Sequence, residues 1–180
     1  GVTDEKIRVL IIDDSSLRRD VLKFILESEP SIEVVGAAKD GKEGVEKALA
    51  LKPNVITMDL QMPVMGGLSA TEKIMEEIPT PIIVVSSMDV QEMIKALGFG
   101  AVDFIPIRGE VEEIADDLID KVKIASKIKT LRRIKIRPVK IIERPEKIET
   151  LKVVAIGIST GGPPALQAIL SRLPQDFPAG

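Results

Sequence analysis

The chain has 180 residues, 44% hydrophobic and 29% charged, with a formal net charge of −3; that suits one domain with a full core plus part of a second, and excludes a disordered chain. It holds no Cys and no His, which excludes disulfides, thiol catalysis, Cys-ligated metal sites and any reaction whose base is a histidine from these residues. No apolar run approaches the roughly 18 residues of a membrane span, and the polar, acidic opening Gly1-Val2-Thr3-Asp4-Glu5-Lys6 does not read as a signal peptide.

The apolar run Ile7 to Ile12 ends abruptly at Asp13-Asp14. Its β-branched residues predict a strand buried on both faces, as in a parallel sheet. Ser15 is placed to cap a helix whose Leu17, Val21, Leu22, Ile25 and Leu26 recur at helical spacing. Pro30 ends that stretch, and Glu33 to Ala38 is a second strand. Gly41 to Leu51 is helical with Val45, Ala48 and Leu49 inward, and Pro53 stops it. Val55 to Met58 is a third strand, ending at Asp59. A loop, Gln61 to Gly67, leads to a helix over Leu68 to Ile78. Ile82 to Val85 is a fourth strand, running into Ser86-Ser87, and Val90 to Leu97 is helical. Val102 to Ile105 is a fifth strand, and a long helix starts at Glu110.

Five strands alternating with five helices imply β-α-β crossovers, hence a doubly wound parallel sheet with helices on both faces. Ligands on such sheets bind at the carboxyl ends of the strands. There the sequence places Asp13 and Asp14, Asp59, and Ser86. Three converging carboxylates repel one another and lose solvation, which favours a cation among them. Oxygen donors without His or Cys point to Mg²⁺. A carboxylate beside such an ion can attack phosphorus.

Charge is unevenly spread. Residues 1–120 hold 12 Lys and Arg against 24 Asp and Glu, whereas residues 121–147 hold 11 basic and 2 acidic residues. Arg137-Pro138 and Arg144-Pro145 favour extended backbone. The division expected is a domain over 1–126, a basic linker over 127–150 and the start of a second α/β domain over 151–180. Lys152 to Ile158 reads as a strand, and Ala165 to Leu173 as a helix opened by Pro163-Pro164. One strand and one helix cannot bury a core of their own.

The first 125 residues resemble a response-regulator receiver domain, a flavodoxin-like (βα)5 fold. The resemblance rests on Ile11-Ile12-Asp13-Asp14-Ser15, Met58-Asp59-Leu60-Gln61-Met62-Pro63, Val85-Ser86-Ser87 and Gly98-Phe99-Gly100-Ala101-Val102-Asp103-Phe104. It implies that Asp59 is phosphorylated from a histidine kinase. It implies Mg²⁺ held by Asp13, Asp14, Asp59 and the Gln61 backbone carbonyl, with Ser86 contacting the phosphoryl group. Phe104 falls at the family's switch aromatic. Two positions depart from the pattern. Ile107-Arg108 stands where the family has a Lys, usually followed by Pro, and Arg108 is expected on the opposite face from Ile107. Gly66-Gly67 stands where the family has Asp-Gly or Asn-Gly, and its glycines tolerate positive φ.

Gly157-Ile158-Ser159-Thr160-Gly161 fits G-x-S-x-G between a strand and a helix, the setting of a nucleophile elbow. With Val154 to Pro163, Leu166 to Pro174 and Asp176 to Ala179 behind a receiver and a basic linker, the chain resembles the CheB family of chemotaxis protein-glutamate methylesterases. That resemblance implies Ser159 as nucleophile toward methyl-glutamate esters of chemoreceptors, glutaminase activity as well, and a cytoplasmic protein. The triad His and Asp would lie after Gly180. The alternative reading is a non-enzymatic receiver whose basic tail binds a partner. Nucleic acid is not expected as that partner, because the tail lacks aromatics for stacking and a helix-turn-helix pattern. Membrane insertion is not expected either.

Overall fold

The computed structural model describes residues 5–128. The strands are β1 (Ile7–Ile12), β2 (Ile32–Ala38), β3 (Val55–Met58), β4 (Ile82–Ser86) and β5 (Asp103–Pro106). The helices are α1 (Ser16–Glu27), α2 (Gly41–Leu51), α3 (Gly67–Glu77), α4 (Val90–Gly98) and α5 (Ala115–Ala125), the last preceded by a 3₁₀ turn over Val111–Ile114. No described helix is long and apolar enough to cross a membrane. The expected strand and helix behind Lys152 lie outside the described residues.

All strands pair in parallel, in the order β2-β1-β3-β4-β5. Side chains alternate between the two faces of the sheet. Val9, Ile11, Val55, Ile83, Val85 and Ile105 pack with Leu22 and Leu26 of α1 and Leu118 and Val122 of α5. Leu10, Ile12, Ile56, Met58, Ile82 and Val84 pack with α2, α3 and α4 through Ala48, Ile74 and Met93. Burying each large aliphatic side chain contributes about 1.5–3 kcal/mol, so both faces of the central strands are anchored. The chain runs from β1 outward to β2, then returns to β3 on the other side of β1. The strand order therefore reverses beside β1, and the crevice of a doubly wound sheet opens at that point, above the carboxyl ends of β1 and β3.

The helix starts follow the expected chemistry. Ser15 caps α1, its side chain accepting from the Arg18 N–H, and Asp40 and Asp89 cap α2 and α4 in the same way. Three expectations need correction. Leu17 and Leu49 do not face the core; they are 73% and 40% exposed. In α1 the buried stripe is Leu22, Ile25 and Leu26, which extended back by one turn lands on residue 18 and leaves residue 17 outside. In α2 the stripe centres on Gly44, Val45 and Ala48, with Leu49 at its margin. The helix expected from Glu110 begins instead as the 3₁₀ turn, whose three-residue period brings both Val111 and Ile114 onto the α1/α5-side core.

The loop after β3 also differs. Gly66 has φ −71, and the residue in the left-handed region is Val64, with φ 64. The Met65 N–H donates to the Pro63 carbonyl at 2.7 Å, closing a tight turn around Val64. A β-branched residue is strained there. Gly67 serves close approach rather than positive φ: a Cβ on it would lie 2.1 Å from the Asp59 carbonyl oxygen. The first turn of α3 therefore rests directly on the backbone of Asp59.

The strain at Val64 is removable. Asn tolerates left-handed backbone, and the Val64 side chain is exposed. Val64→Asn should raise the unfolding free energy by about 1 kcal/mol, read as a higher urea midpoint at unchanged m-value. A lower midpoint would show that Val64 makes contacts worth more than its strain.

Candidate functional site

The site forms where β1, β3 and β4 end side by side. The Asp13 N–H donates to the Ala38 carbonyl at 3.0 Å and the Asp59 N–H to the Ile12 carbonyl at 2.9 Å. Both aspartates thus continue the parallel ladder by one residue, and their side chains project from the sheet edge. Asp13 and Asp59 are 1% and 2% exposed. Asp14, the next residue out, is 42% exposed. One carboxylate oxygen from each of Asp13, Asp14 and Asp59 lies within 4.8 Å of the others.

The two buried carboxylates are held. Asp13 Oδ1 accepts from the Ser15 N–H at 2.9 Å, which fixes it against the start of α1. Asp59 Oδ1 accepts from Ser86 Oγ at 2.9 Å. Ser86 is fully buried, and its Oγ accepts from the Met88 N–H at 3.3 Å. The nearby Gln61 backbone N–H acts in the same direction on the Asp59 carboxylate. These contacts favour the charged form of Asp59. Burial and the neighbouring Asp13 oppose them and win, raising its pKa to about 6.

Sequence reasoning singled out Asp13, Asp14, Asp59 and Ser86, and the fold brings those four together. It missed Arg18. That side chain enters from the first turn of α1: Nε donates to Asp13 Oδ2 at 2.5 Å and Nη2 to Asp59 Oδ2 at 3.0 Å. Nη2 also lies 3.7 Å from Asp14 Oδ1. One guanidinium therefore faces all three carboxylates. A signal was present in the sequence, because a cation in the first turn of a helix opposes the macrodipole and needs an acidic partner.

The remaining positions lie as follows. Gln61 is exposed, and Phe104 is half-buried against the α2–α4 core. Ile107 is packed into the α1/α5-side core, away from the carboxylates. Arg108 donates to the carbonyls of Ser87 and Met88 at 3.0 and 2.9 Å, so it straps the loop after β4 and does not reach Asp59. Ser159 lies outside the described residues.

The donor set suits a hard cation. Three carboxylates converge with no nitrogen or sulfur donor among them, the chemistry of a magnesium site. An ion with bonds of about 2.1 Å spans oxygens up to about 4.2 Å apart, so the three ligand oxygens need only a small inward movement, and half-exposed Asp14 is free to make it.

Residues 9–118 match the response regulator receiver domain, and residues 154–180 match the CheB methylesterase domain. The chain is 44% identical to protein-glutamate methylesterase/protein-glutamine glutaminase 2 of Carboxydothermus hydrogenoformans, over 97% of this chain and 54% of the relative. It is 43% identical to the protein of that name, without the number, from Thermotoga maritima, over 99% of this chain and 54% of the relative. The chain thus spans about half the length of the curated relatives it matches. Among solved structures, the response regulator domain of Thermotoga maritima CheB superposes with a TM-score of 0.67 at 44% identity, covering 69% of this chain and 99% of that one. The CheX-CheY-BeF3-Mg²⁺ complex of Borrelia burgdorferi gives a TM-score of 0.59 at 26% identity, covering 65% and 90%.

The position of the Asp59 pKa sets a pH dependence. A carboxyl whose folded pKa of about 6 exceeds its ordinary 3.8 binds its proton more tightly in the fold. Its contribution is fully favourable below pH 3.8 and is lost as pH rises through about 6. Asp59→Asn carries no such charge. In the absence of divalent ions it should be more stable than wild type at pH 8, by roughly 3 kcal/mol at most, and the difference should shrink below pH 5. Thermal unfolding of both proteins across that range checks the sign.

Proposed function

The chain belongs to the response regulator receiver family, with a segment of the CheB methylesterase domain behind the receiver, and from this we propose that it is the phosphorylation-controlled part of a protein-glutamate methylesterase/protein-glutamine glutaminase. The observation that carries the reading is the buried Asp59 carboxylate at the end of β3, bonded by Ser86 and flanked by Asp13 and Asp14. Asp59 is the phosphoryl acceptor. One of its oxygens attacks the phosphorus of a phosphohistidine on a histidine kinase, or of a small phosphoramidate. The P–N bond breaks, its electron pair stays on nitrogen, and an acyl phosphate forms on Asp59.

Mg²⁺ would be held by Asp13, Asp14, Asp59 and the Gln61 carbonyl, and would supply neutralising charge for the transferred phosphoryl group. Asp13, fixed by the Ser15 N–H, keeps its ligand oxygen positioned. The Gln61 N–H favours the charged form of the acceptor. Ser86 exchanges its bond to Asp59 for one to a phosphoryl oxygen, and Phe104 responds to that movement across the β4–β5 pair, where it lies opposite Val84.

Residues 1–126 are then the receiver, 127–150 a linker and 151–180 the first part of the catalytic domain, in a cytoplasmic protein. Ser159 is the nucleophile, acting in the whole enzyme on methyl-glutamate side chains of chemoreceptors. The match over residues 154–180 favours this over a non-enzymatic receiver with a basic binding tail.

Two outcomes test the proposal. Incubation with phosphoramidate and Mg²⁺ should add one phosphoryl group by intact mass, and Asp59→Asn should abolish the addition; equal labelling of the Asn variant would refute the assignment. The 180-residue chain should show no hydrolysis of an activated ester, because it contains no His to take the Ser159 proton. Turnover that vanishes in Ser159→Ala would demand a different base.

A further inference from the structure

Arg18 is set against the whole acidic site. Its Nε and Nη2 take Oδ2 of Asp13 and Oδ2 of Asp59, and Nη2 faces Oδ1 of Asp14. Those are carboxylates a divalent ion would need. No other Lys or Arg among the described residues pairs with Asp13, Asp14 or Asp59. Arg19 is turned to the Asp13 backbone carbonyl and Arg108 to the loop after β4. The residue after β5 that would ordinarily bring a cation is Ile107, committed to the core.

Two nearly buried carboxylates carry a large desolvation cost unless a cation accompanies them. The guanidinium meets that need from within the chain, bonding two of them at once as its planar fork allows. It also covers the acceptor. With Ser86 on Oδ1 and Arg18 on Oδ2, both oxygens of Asp59 are engaged. Two cations among the same oxygens would repel, so guanidinium and metal ion exclude each other there. The side chain has a way out, being 18% exposed and tethered only through the first turn of α1.

We propose that Arg18 is a built-in counter-cation of the acidic site, which holds Asp59 capped until a divalent ion displaces it and thereby lowers the affinity of the site for that ion. The inference rests on the reading of Asp13, Asp14 and Asp59 as a metal site, and the experiment separates the two. Mn²⁺ is the probe, with free ion counted by its electron paramagnetic resonance signal, in wild type, Arg18→Met, Arg18→Gln and Asp13→Asn. Met matches the aliphatic stem without the charge, and Gln is the second variant should Met disturb folding. Both should bind Mn²⁺ about tenfold more tightly than wild type, the scale expected for removing one charged hydrogen-bonded competitor, and Asp13→Asn should bind poorly. With chelator and no metal, both Arg18 variants should melt below wild type at pH 8, and excess Mg²⁺ should raise their melting temperatures more than it raises that of wild type. Equal or weaker Mn²⁺ affinity in the Arg18 variants, with binding still lost in Asp13→Asn, overturns the role of Arg18 and leaves the metal reading standing. Absence of Mn²⁺ binding in every protein overturns both.

Discussion

The burial of two carboxylates at the edge of a parallel sheet governs the rest of this structure. Asp13 and Asp59 sit one residue past β1 and β3, nearly sealed from solvent, where the strand order turns back on itself. Hydrophobic packing on both faces of those strands fixes the backbone, so neither carboxylate can retreat into water without breaking the ladder that continues through its own N–H. Everything polar nearby follows from that constraint. Ser86 bonds Asp59, the Ser15 N–H bonds Asp13, and Arg18 bonds both. Even so, Asp59 keeps a pKa near 6, because hydrogen bonds from one side do not recover the hydration lost on the others.

Much of the fold was legible from residue pattern. β1, β3 and α2 have the bounds the sequence suggests, since each is a short apolar or amphipathic segment closed by an Asp or a Pro. The parallel topology followed from alternation of strands and helices. The convergence of Asp13, Asp14, Asp59 and Ser86 followed from topology, because all four end strands that the order places side by side. What the sequence concealed depended on rotation about a helix axis. Residues 17 and 18 are neighbours in the chain, yet the stripe of Leu22, Ile25 and Leu26 directs residue 18 toward the sheet. Hydrophobicity alone chose Leu17 for that place. The carboxylates at the sheet edge make the inward position one for a cation, and the fold sets Arg18 there and leaves Leu17 in water.

The loop after β3 conceals its geometry for a related reason. Two consecutive glycines advertise positive φ, but the left-handed backbone falls two residues earlier, on Val64. Gly67 has no Cβ because α3 must start in contact with the Asp59 carbonyl. A glycine that admits a close neighbour and one that admits an unusual φ look alike in sequence, and only the path of the chain distinguishes them. That path brings the amino end of a helix against the backbone of Asp59, so the loop's tight turn and the site's geometry are one arrangement.

The hydrogen bonds also define what a change of charge on Asp59 would pull on. On one side Arg18 ties Asp59 Oδ2 to the first turn of α1. On the other, Ser86 Oγ joins Asp59 Oδ1 to the Met88 N–H, and Arg108 from the end of β5 holds the carbonyls of Ser87 and Met88. The segment after β4 is therefore gripped twice, once by a hydroxyl that bonds Asp59 and once by a guanidinium that does not. The Ile107 side chain contributes to neither grip, being part of the core beneath α1 and α5, and only its N–H reaches the segment, donating to the Ser86 carbonyl at 2.9 Å. A cation following β5 would connect Asp59 to the last strand directly. With an apolar residue in that place, the side-chain connections of Asp59 run through α1 and Ser86, and β5 is reached through its ladder with β4, which the Ile107 N–H extends to the Ser86 carbonyl, and through Arg108.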